Sequence, residues 1–380
     1  MKLKKVELTM SNSTYLPTIN FSDERYDRVR QTYRKWWAGE LNRPIVPIIT
    51  TDNPSVRKPS PYQTLRFSNA WDFSVTPQQL IDAQDWVFST QRWYGDAYPF
   101  CPVTPFGAGT MAAFLGCHPV GKEDTVWFFP EREDIPIEEL HFEMDENNPY
   151  LRRVLNVYEE GMEKWRGQAV MGMVDIGGVM DVLASFRGTE NLLMDLYDDP
   201  DEVLRCVKEL QELWFKYFDK INDILAPEVR GYSMWFNLFC EKPGYIIQSD
   251  FSYMISPEMF KTFVAPELAT SSERIYQCLY HMDGVGQIPH LEQLLAIDGI
   301  KGIQWVPGAG TPQDMNWDEL KSRILASGIK LISENQQPDG SPIAIAQNPG
   351  QLYFSDRYFP ATDLEAIRTY AANCGLDLDL

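Results

Sequence analysis

The sequence predicts an α/β protein built as a closed (β/α)8 TIM barrel with an aromatic-rich insertion near its N-terminus. Strand-like and helical segments alternate from residue 149 to the end of the chain, which favours a parallel sheet. About eight strand-like runs occur, and polar residues follow the ends of many of them, as in barrel enzymes. No G-x-G-x-x-G or G-x-x-x-x-G-K-[ST] motif is present, which argues against an open nucleotide-binding sheet.

The N-terminal part contains the first helix, the first strand and the insertion. Residues 20–43 form a charged helical pattern that Pro44 ends, and residues 45–50 form an apolar run typical of a buried strand. Residues 51–135 are rich in aromatic residues, proline and glycine, which predicts a lid packed on the main body. We therefore assign residues 1–148 to the helix, first strand and lid, and residues 149–380 to the remainder of one structural domain.

The regular alternation begins after residue 149. A helix over 149–166 precedes a strand over 169–175, and helices over 190–197 and 200–224 follow. The later elements are predicted from apolar runs and helix-start signals such as Ser256-Pro257. They are strands at 231–240, 245–250, 275–282, 300–306, 329–334 and 352–356, with helices at 256–273, 289–296, 316–326 and 362–373.

Composition excludes several classes of partner. The formal net charge is −20, so phosphate-rich nucleic acids and anionic membranes would be repelled. No apolar run approaches the ~20 residues of a membrane span, and no secretory signal pattern follows the N-terminal lysines. The six cysteines are scattered without C-x-x-C spacing. A cytoplasmic protein with reduced thiols is predicted, and exposed aromatics in the first third are compatible with a homodimer.

The strand that ends in Tyr280-His281-Met282-Asp283-Gly284 carries the clearest chemical signal. His281 and Asp283 are two residues apart, so their side chains leave an extended strand on the same face. The two side chains could serve as two ligands of one metal ion, as an acid/base pair or as a hydrogen-bonded pair in the core. With four histidines in the chain, a cage of several histidines is not expected.

Other polar side chains follow neighbouring strands and would meet His281 at one barrel mouth. Carboxylates gathered there would serve acid/base chemistry or a hard metal, and would raise one another's pKa values. The predicted catalytic residues are Asp250, His281, Asp283 and Glu334. The predicted substrate-binding residues are Asp175, Asn237, Tyr253, Gln304, Trp305 and Arg357.

Residues 187–197, 249–260 and 280–284 together resemble the uroporphyrinogen decarboxylase superfamily. Together with the alternation of strands and helices, the resemblance covers roughly the last two-thirds of the chain. Residues 249–260 are the most specific of the three stretches. It implies a (β/α)8 barrel with its site at the carboxyl ends of the strands. The superfamily includes porphyrinogen decarboxylases and zinc methyltransferases that move methyl groups between corrinoid proteins and thiols or methylated substrates.

Departures from the family motifs distinguish these branches. The decarboxylases carry an arginine-rich R-Q-A-G-R segment after the first strand, whereas residues 49–54 contain no arginine, so the bidentate carboxylate clamp is missing. The thiol-activating methyltransferases use H-x-C and a later cysteine as zinc ligands. His281 matches, but Asp283 replaces the first cysteine, and no thiol lies near residues 356–358. Such a metal site would need oxygen and nitrogen ligands.

The leading hypothesis is a methyltransferase that takes a methyl group from a small methylated substrate, an ether or similar compound, to a separate corrinoid protein. Zinc would be held by His281, Asp283 and Glu334, with Asp250 as a further ligand or proton donor. The chain has no D-x-H-x-x-G signature, so the corrinoid would arrive on its own protein.

Two alternatives remain open. In a metal-free decarboxylase or lyase, Asp250 and His281 would handle protons while Arg357 holds a substrate carboxylate. In a non-catalytic barrel, the chain would only bind a corrinoid or another ligand for a partner.

Overall fold

Parallel strands flanked by helices form the centre of the protein, as a computed structural model shows. The structure describes residues 18–55, 57–132, 134–226, 230–312, 315–333 and 348–378. The strands are β1 Pro47–Thr51, β2 Arg92–Gly95, β3 Phe100–Cys101, β4 His118–Gly121, β5 Val126–Phe129, β6 Val170–Met171, β7 Tyr232–Ser233, β8 Phe239–Cys240, β9 Tyr245–Gln248, β10 Cys278–Asp283, β11 Ile300–Val306, β12 Lys330–Ile332, β13 Leu352–Tyr353 and β14 Arg357–Pro360.

Helices cover the strands and match the predicted α/β alternation. They are α1 Asp23–Trp37, α2 Pro77–Thr90, α3 Thr110–Phe114, α4 Pro149–Trp165, α5 Val179–Arg187, α6 Thr189–Asp198, α7 Pro200–Leu225, α8 Pro257–Phe263, α9 Ala265–Arg274, α10 Leu291–Leu295, α11 Asp318–Ala326 and α12 Leu364–Asn373. The mixed α/β class is therefore confirmed. None of the helices in the described ranges is long and apolar enough to cross a membrane.

The largest sheet is parallel and has the order β13-β12-β11-β10-β9. Parallel bridges extend this pattern from Tyr353 to Ile45 and from Gly172 to Ser233, and β3 pairs with β6 in parallel. In the part of the chain that the structure describes, these ladders do not join into one ring. The parallel sheets are thus confirmed, whereas the closed barrel is not.

Two predicted elements differ from the structure. The strand predicted at 231–240 is a short antiparallel pair, β7 with β8, because the polar residue Asn237 lies in the turn between them. The helix predicted at 256–273 is divided into α8 and α9 at Val264, since Pro266 has no backbone N–H to continue the first helix. The domain boundary at residue 148 and the lid role of the insertion stay predictions.

Helix ends and core residues fix the position of the strands. Side-chain caps begin several helices, including Ser256 at α8 and Asn148 at α4. The long helix α7 buries one apolar stripe against the core, as its 3.6-residue period requires. Trp36 of α1 is fully buried, and its indole N–H donates to the carbonyl of Leu352. The parallel pairing of β10 with β9 and β11 brings the carboxyl ends of these three strands to one edge of the sheet.

Candidate functional site

Strand β10 presents His281 and Asp283 on one face at the carboxyl edge of the main sheet. Cys278, Leu279 and Tyr280 are fully buried, whereas His281 and Asp283 are partly exposed and the intervening Met282 is buried. This alternation is the one that the two-residue strand period predicts. The pair therefore faces a space at the sheet edge that a ligand could enter.

Gln304 on the neighbouring strand orients the histidine. The parallel register places Gln304 directly beside His281, and the Nδ1 atom of His281 lies 2.8 Å from the side-chain oxygen of Gln304. Because this oxygen can only accept, Nδ1 carries the proton and Nε2 is left with a free lone pair. Burial lowers the pKa of His281, which favours this neutral form and suits a metal ligand.

Asp250 begins the 3-10 turn Asp250–Met254 that follows β9. The Asp181 carboxylate, in the first turn of α5, accepts the backbone N–H groups of Asp250 at 3.0 Å and of Phe251 at 2.7 Å. This contact fixes the turn and hence the position of the Asp250 side chain. Sequence reasoning missed Asp181, because an acidic residue in a first helical turn is already explained by the helix dipole.

Asp250, His281 and Asp283 converge closely enough to hold one cation. Their potential ligand atoms all lie within 4.8 Å of one another. In a tetrahedral zinc site, ligand atoms about 2.1 Å from the ion lie about 3.4 Å apart, so these side chains would have to move closer to one another to bind the ion. Within the described part of the chain, one carboxylate oxygen of Asp250 and one of Asp283 are buried without a hydrogen-bond partner. The donor set therefore fits a divalent cation with nitrogen and oxygen ligands.

Burial and like charge raise the carboxyl pKa values around this cluster. Burial, with a contribution from the Asp283 charge, raises the pKa of Asp250 to about 7. Burial and the Asp250 charge raise the pKa of Asp181 to about 7 and that of Asp175 to about 8. The Asp175 carboxylate accepts from the Gly177 N–H at 2.9 Å and from the Tyr245 hydroxyl at 3.4 Å. The site can therefore hold protons near neutral pH.

Gln304 and Trp305 line a cavity of about 910 Å³. Trp305 is 3% exposed and packs against Trp317 with ring centroids 5.1 Å apart. Its indole N–H has no hydrogen-bond partner among the residues that the structure describes. This volume lies within the range of small-molecule sites. Gln304 links the cavity to the cluster through its contact with His281.

Two further predicted residues, Asn237 and Tyr253, contact other polar or glycine residues near the carboxyl edge of the main sheet. Asn237 is buried and its amide N–H donates to Asp356 at 2.6 Å. Tyr253 is half-exposed, and its ring packs on Gly284 and Gly286, directly after Asp283. A side chain at Gly286 would collide with Tyr253.

The predicted residue Arg357 does not join the cluster. Arg357 is exposed on β14, and its guanidinium carbon lies 5.9 Å from the ring centre of Tyr370. Among the described residues, no contact connects Arg357 to Asp250, His281 or Asp283. Its position next to a predicted strand end is misleading, because the chain continues into another strand. Glu334 lies outside the described residues.

No thiolate contributes to the site. All six cysteines are buried, and none belongs to the cluster of Asp250, His281 and Asp283. Of the described part of the chain, this is the one group of histidine, cysteine and acidic residues close enough to hold a metal.

Comparisons with known proteins show a likeness in fold. No family model matches the chain, and no curated protein matches its sequence. A methyltransferase from Methanosarcina mazei is structurally similar, with a TM-score of 0.55 at 13% sequence identity. The match covers 91% of this chain and 98% of the other. The chain therefore has a methyltransferase-like α/β fold, while the uroporphyrinogen decarboxylase assignment is not confirmed.

Proposed function

We propose that this protein is a metal-dependent methyltransferase that moves a methyl group from a small methylated compound to the corrinoid of a separate protein. The observation that carries the proposal is the convergence of Asp250, His281 and Asp283, with two carboxylate oxygens lacking partners. The fold likeness to a methyltransferase supports this class of reaction. The proposal includes the (β/α)8 barrel and the superfamily relationship that the sequence predicts.

The metal in this proposal is zinc, held by His281 Nε2 and by one oxygen each of Asp250 and Asp283. When bound, it would act as a Lewis acid toward the oxygen or similar atom that the methyl group leaves. Gln304 keeps the His281 ring in its ligand orientation, and Asp181 keeps Asp250 in place through two backbone contacts. These supporting contacts reduce the reorganisation that metal binding requires.

The transfer moves one carbon without its bonding electrons. For an ether donor, the bond between the methyl carbon and oxygen would break and leave its electron pair on the oxygen. The electron pair of the new bond to carbon would come from the reduced corrinoid of the partner protein. The oxygen then needs a proton to leave as an alcohol. Asp175, whose pKa burial raises to about 8, holds a proton at neutral pH and is close enough to Asp250 to sense its charge.

Metal analysis of the purified protein tests this proposal. We expect about one zinc per chain after reconstitution and removal of loosely bound ion, and less than a tenth of that occupancy in His281→Ala. The matched control is His141→Ala, because His141 is exposed and contacts Arg205 and Glu209 away from the cluster. Equal zinc content in all three proteins, or none in the native chain, would contradict the proposal.

A further inference from the structure

The Asp356 carboxylate forms a second polar site near the metal cluster. One of its oxygens accepts the Asn237 amide N–H at 2.6 Å, and the Tyr358 hydroxyl also donates to this carboxylate. The other oxygen, Oδ1, is buried without a hydrogen-bond partner, and so is the side-chain oxygen of Asn237. Asn237 is only 8% exposed. Two adjacent residues therefore each keep an acceptor atom that nothing in the described chain satisfies.

No described residue provides a positive partner for this carboxylate. Burial raises the pKa of Asp356 to about 6, against the opposing hydrogen bonds of Asn237 and Tyr358. The next residue, Arg357, is exposed and lies over Tyr370 instead, and the described residues provide no ion pair to Asp356. A buried charge without a counter-ion is costly, so a ligand with a positive charge would gain from this position.

Aromatic rings connect this carboxylate to the metal cluster. The Tyr353 hydroxyl donates to the backbone carbonyl of Asn237, and the rings of Tyr353 and Phe236 are 5.5 Å apart. Phe236 lies 6.5 Å from Trp235, whose ring is 5.5 Å from His281. Ring faces attract cations. Phe236 and Ser355 also line the 910 Å³ cavity.

We propose that Asp356 and Asn237 form a subsite for the protonated amine of a small alkylamine ligand. The ammonium N–H groups would donate to Asp356 Oδ1 and to the Asn237 amide oxygen, and the N-alkyl groups would pack against Phe236. Only the use of this ligand as a methyl donor rests on the proposed function. The binding itself requires neither zinc nor a corrinoid.

Binding of dimethylammonium to the full-length protein tests the subsite, with chelator present so that metal binding has no influence. Saturation-transfer NMR would measure the affinity of the native protein, Asp356→Asn and Asp363→Asn. Asp363 is an exposed carboxylate that caps α12, and its substitution controls for the general loss of negative charge. Tetramethylammonium is the second probe, because it has the same charge but no N–H donor.

We expect saturable binding with a dissociation constant on the order of 1–10 mM, as suits a ligand of three heavy atoms. Asp356→Asn should weaken it about tenfold or more, as the loss of a charge-assisted hydrogen bond implies, and Asp363→Asn should not change it. Asn237→Ala should weaken it as well, which provides a second variant if Asp356→Asn is poorly folded.

Three results would overturn the subsite. They are absence of saturable dimethylammonium binding, equal affinity in folded Asp356→Asn, and equal affinity for tetramethylammonium. If zinc binds as proposed but dimethylammonium does not, only this inference fails. If dimethylammonium binds and zinc does not, the proposed metal site fails and the subsite stands.

Discussion

At the residue scale, the free lone pair of His281 depends on its neighbour across the ladder. Gln304 lies beside His281 in the parallel register and accepts from its Nδ1. Without that acceptor the ring could rotate or change tautomer, and Nε2 would no longer be kept available as a metal ligand. Hydrogen bonds from surrounding residues to the metal ligands determine the orientation of those ligands in metal sites.

Gln304→Leu should therefore weaken zinc binding by roughly 10–100-fold, with His281 itself intact. A competition titration against a chelating dye would measure the change. Gln78→Leu is the matched control, because Gln78 is on an exposed face of α2 and contacts Glu160. Unchanged zinc affinity in Gln304→Leu would show that the glutamine does not orient the ligand.

At the element scale, the start of α5 holds the turn that carries Asp250. Asp181 accepts two backbone N–H groups of that turn, and Gly178, directly before α5, lies against both Asp181 and the Gln248 carbonyl. A methyl group at position 178 would collide with these two groups. The close approach of α5 to β9 therefore requires glycine there.

Gly178→Ala should lower the free energy of unfolding by about 1–3 kcal/mol, as overpacking usually does, and should weaken zinc binding because the Asp250 turn moves. Thermal unfolding and a zinc titration would report the two effects. Gly328→Ala is the control. Its backbone has a φ of +87° and open space around it, so its substitution should cost stability and leave zinc affinity unchanged. If Gly178→Ala bound zinc as tightly as the native protein, the start of α5 would not control the position of the Asp250 turn.

At the scale of the whole molecule, the buried carboxyl groups link stability to pH. The pKa values of Asp175, Asp181 and Asp250 are raised to about 8, 7 and 7 in the folded protein, compared with about 3.9 in an unfolded chain. At pH values between the unfolded-state and folded-state pKa values, the folded state binds more protons than the unfolded state. The free energy of unfolding therefore falls as pH rises through this range.

Without metal, the protein should therefore unfold at a lower temperature at pH 8 than at pH 5.5, by about a few degrees. Asp175→Asn should reduce this difference, because the amide does not titrate. Calorimetry at both pH values, with chelator, would measure it. The same unfolding temperature at both pH values would contradict the raised pKa values in the folded protein.

Local sequence signals predicted much of the fold and part of the site. The alternation of apolar runs with capped helices predicted the α/β class, and the two-residue strand period predicted that His281 and Asp283 share a face. What the sequence could not provide was long-range pairing. The antiparallel turn at Asn237 and the outward position of Arg357 depend on which strands meet. The role of Asp181 depends on its contacts with Asp250 and Phe251, which lie 69 and 70 positions further along the chain.

The central claim is that Asp250, His281 and Asp283 hold zinc through nitrogen and oxygen atoms. X-ray absorption at the zinc edge of the reconstituted protein tests it most directly. We predict a first shell of nitrogen and oxygen alone at about 2.0–2.2 Å, and one added sulfur at about 2.3 Å in Asp283→Cys. A sulfur shell in the native protein, or a native zinc spectrum that His281→Ala leaves unchanged, would contradict the claim.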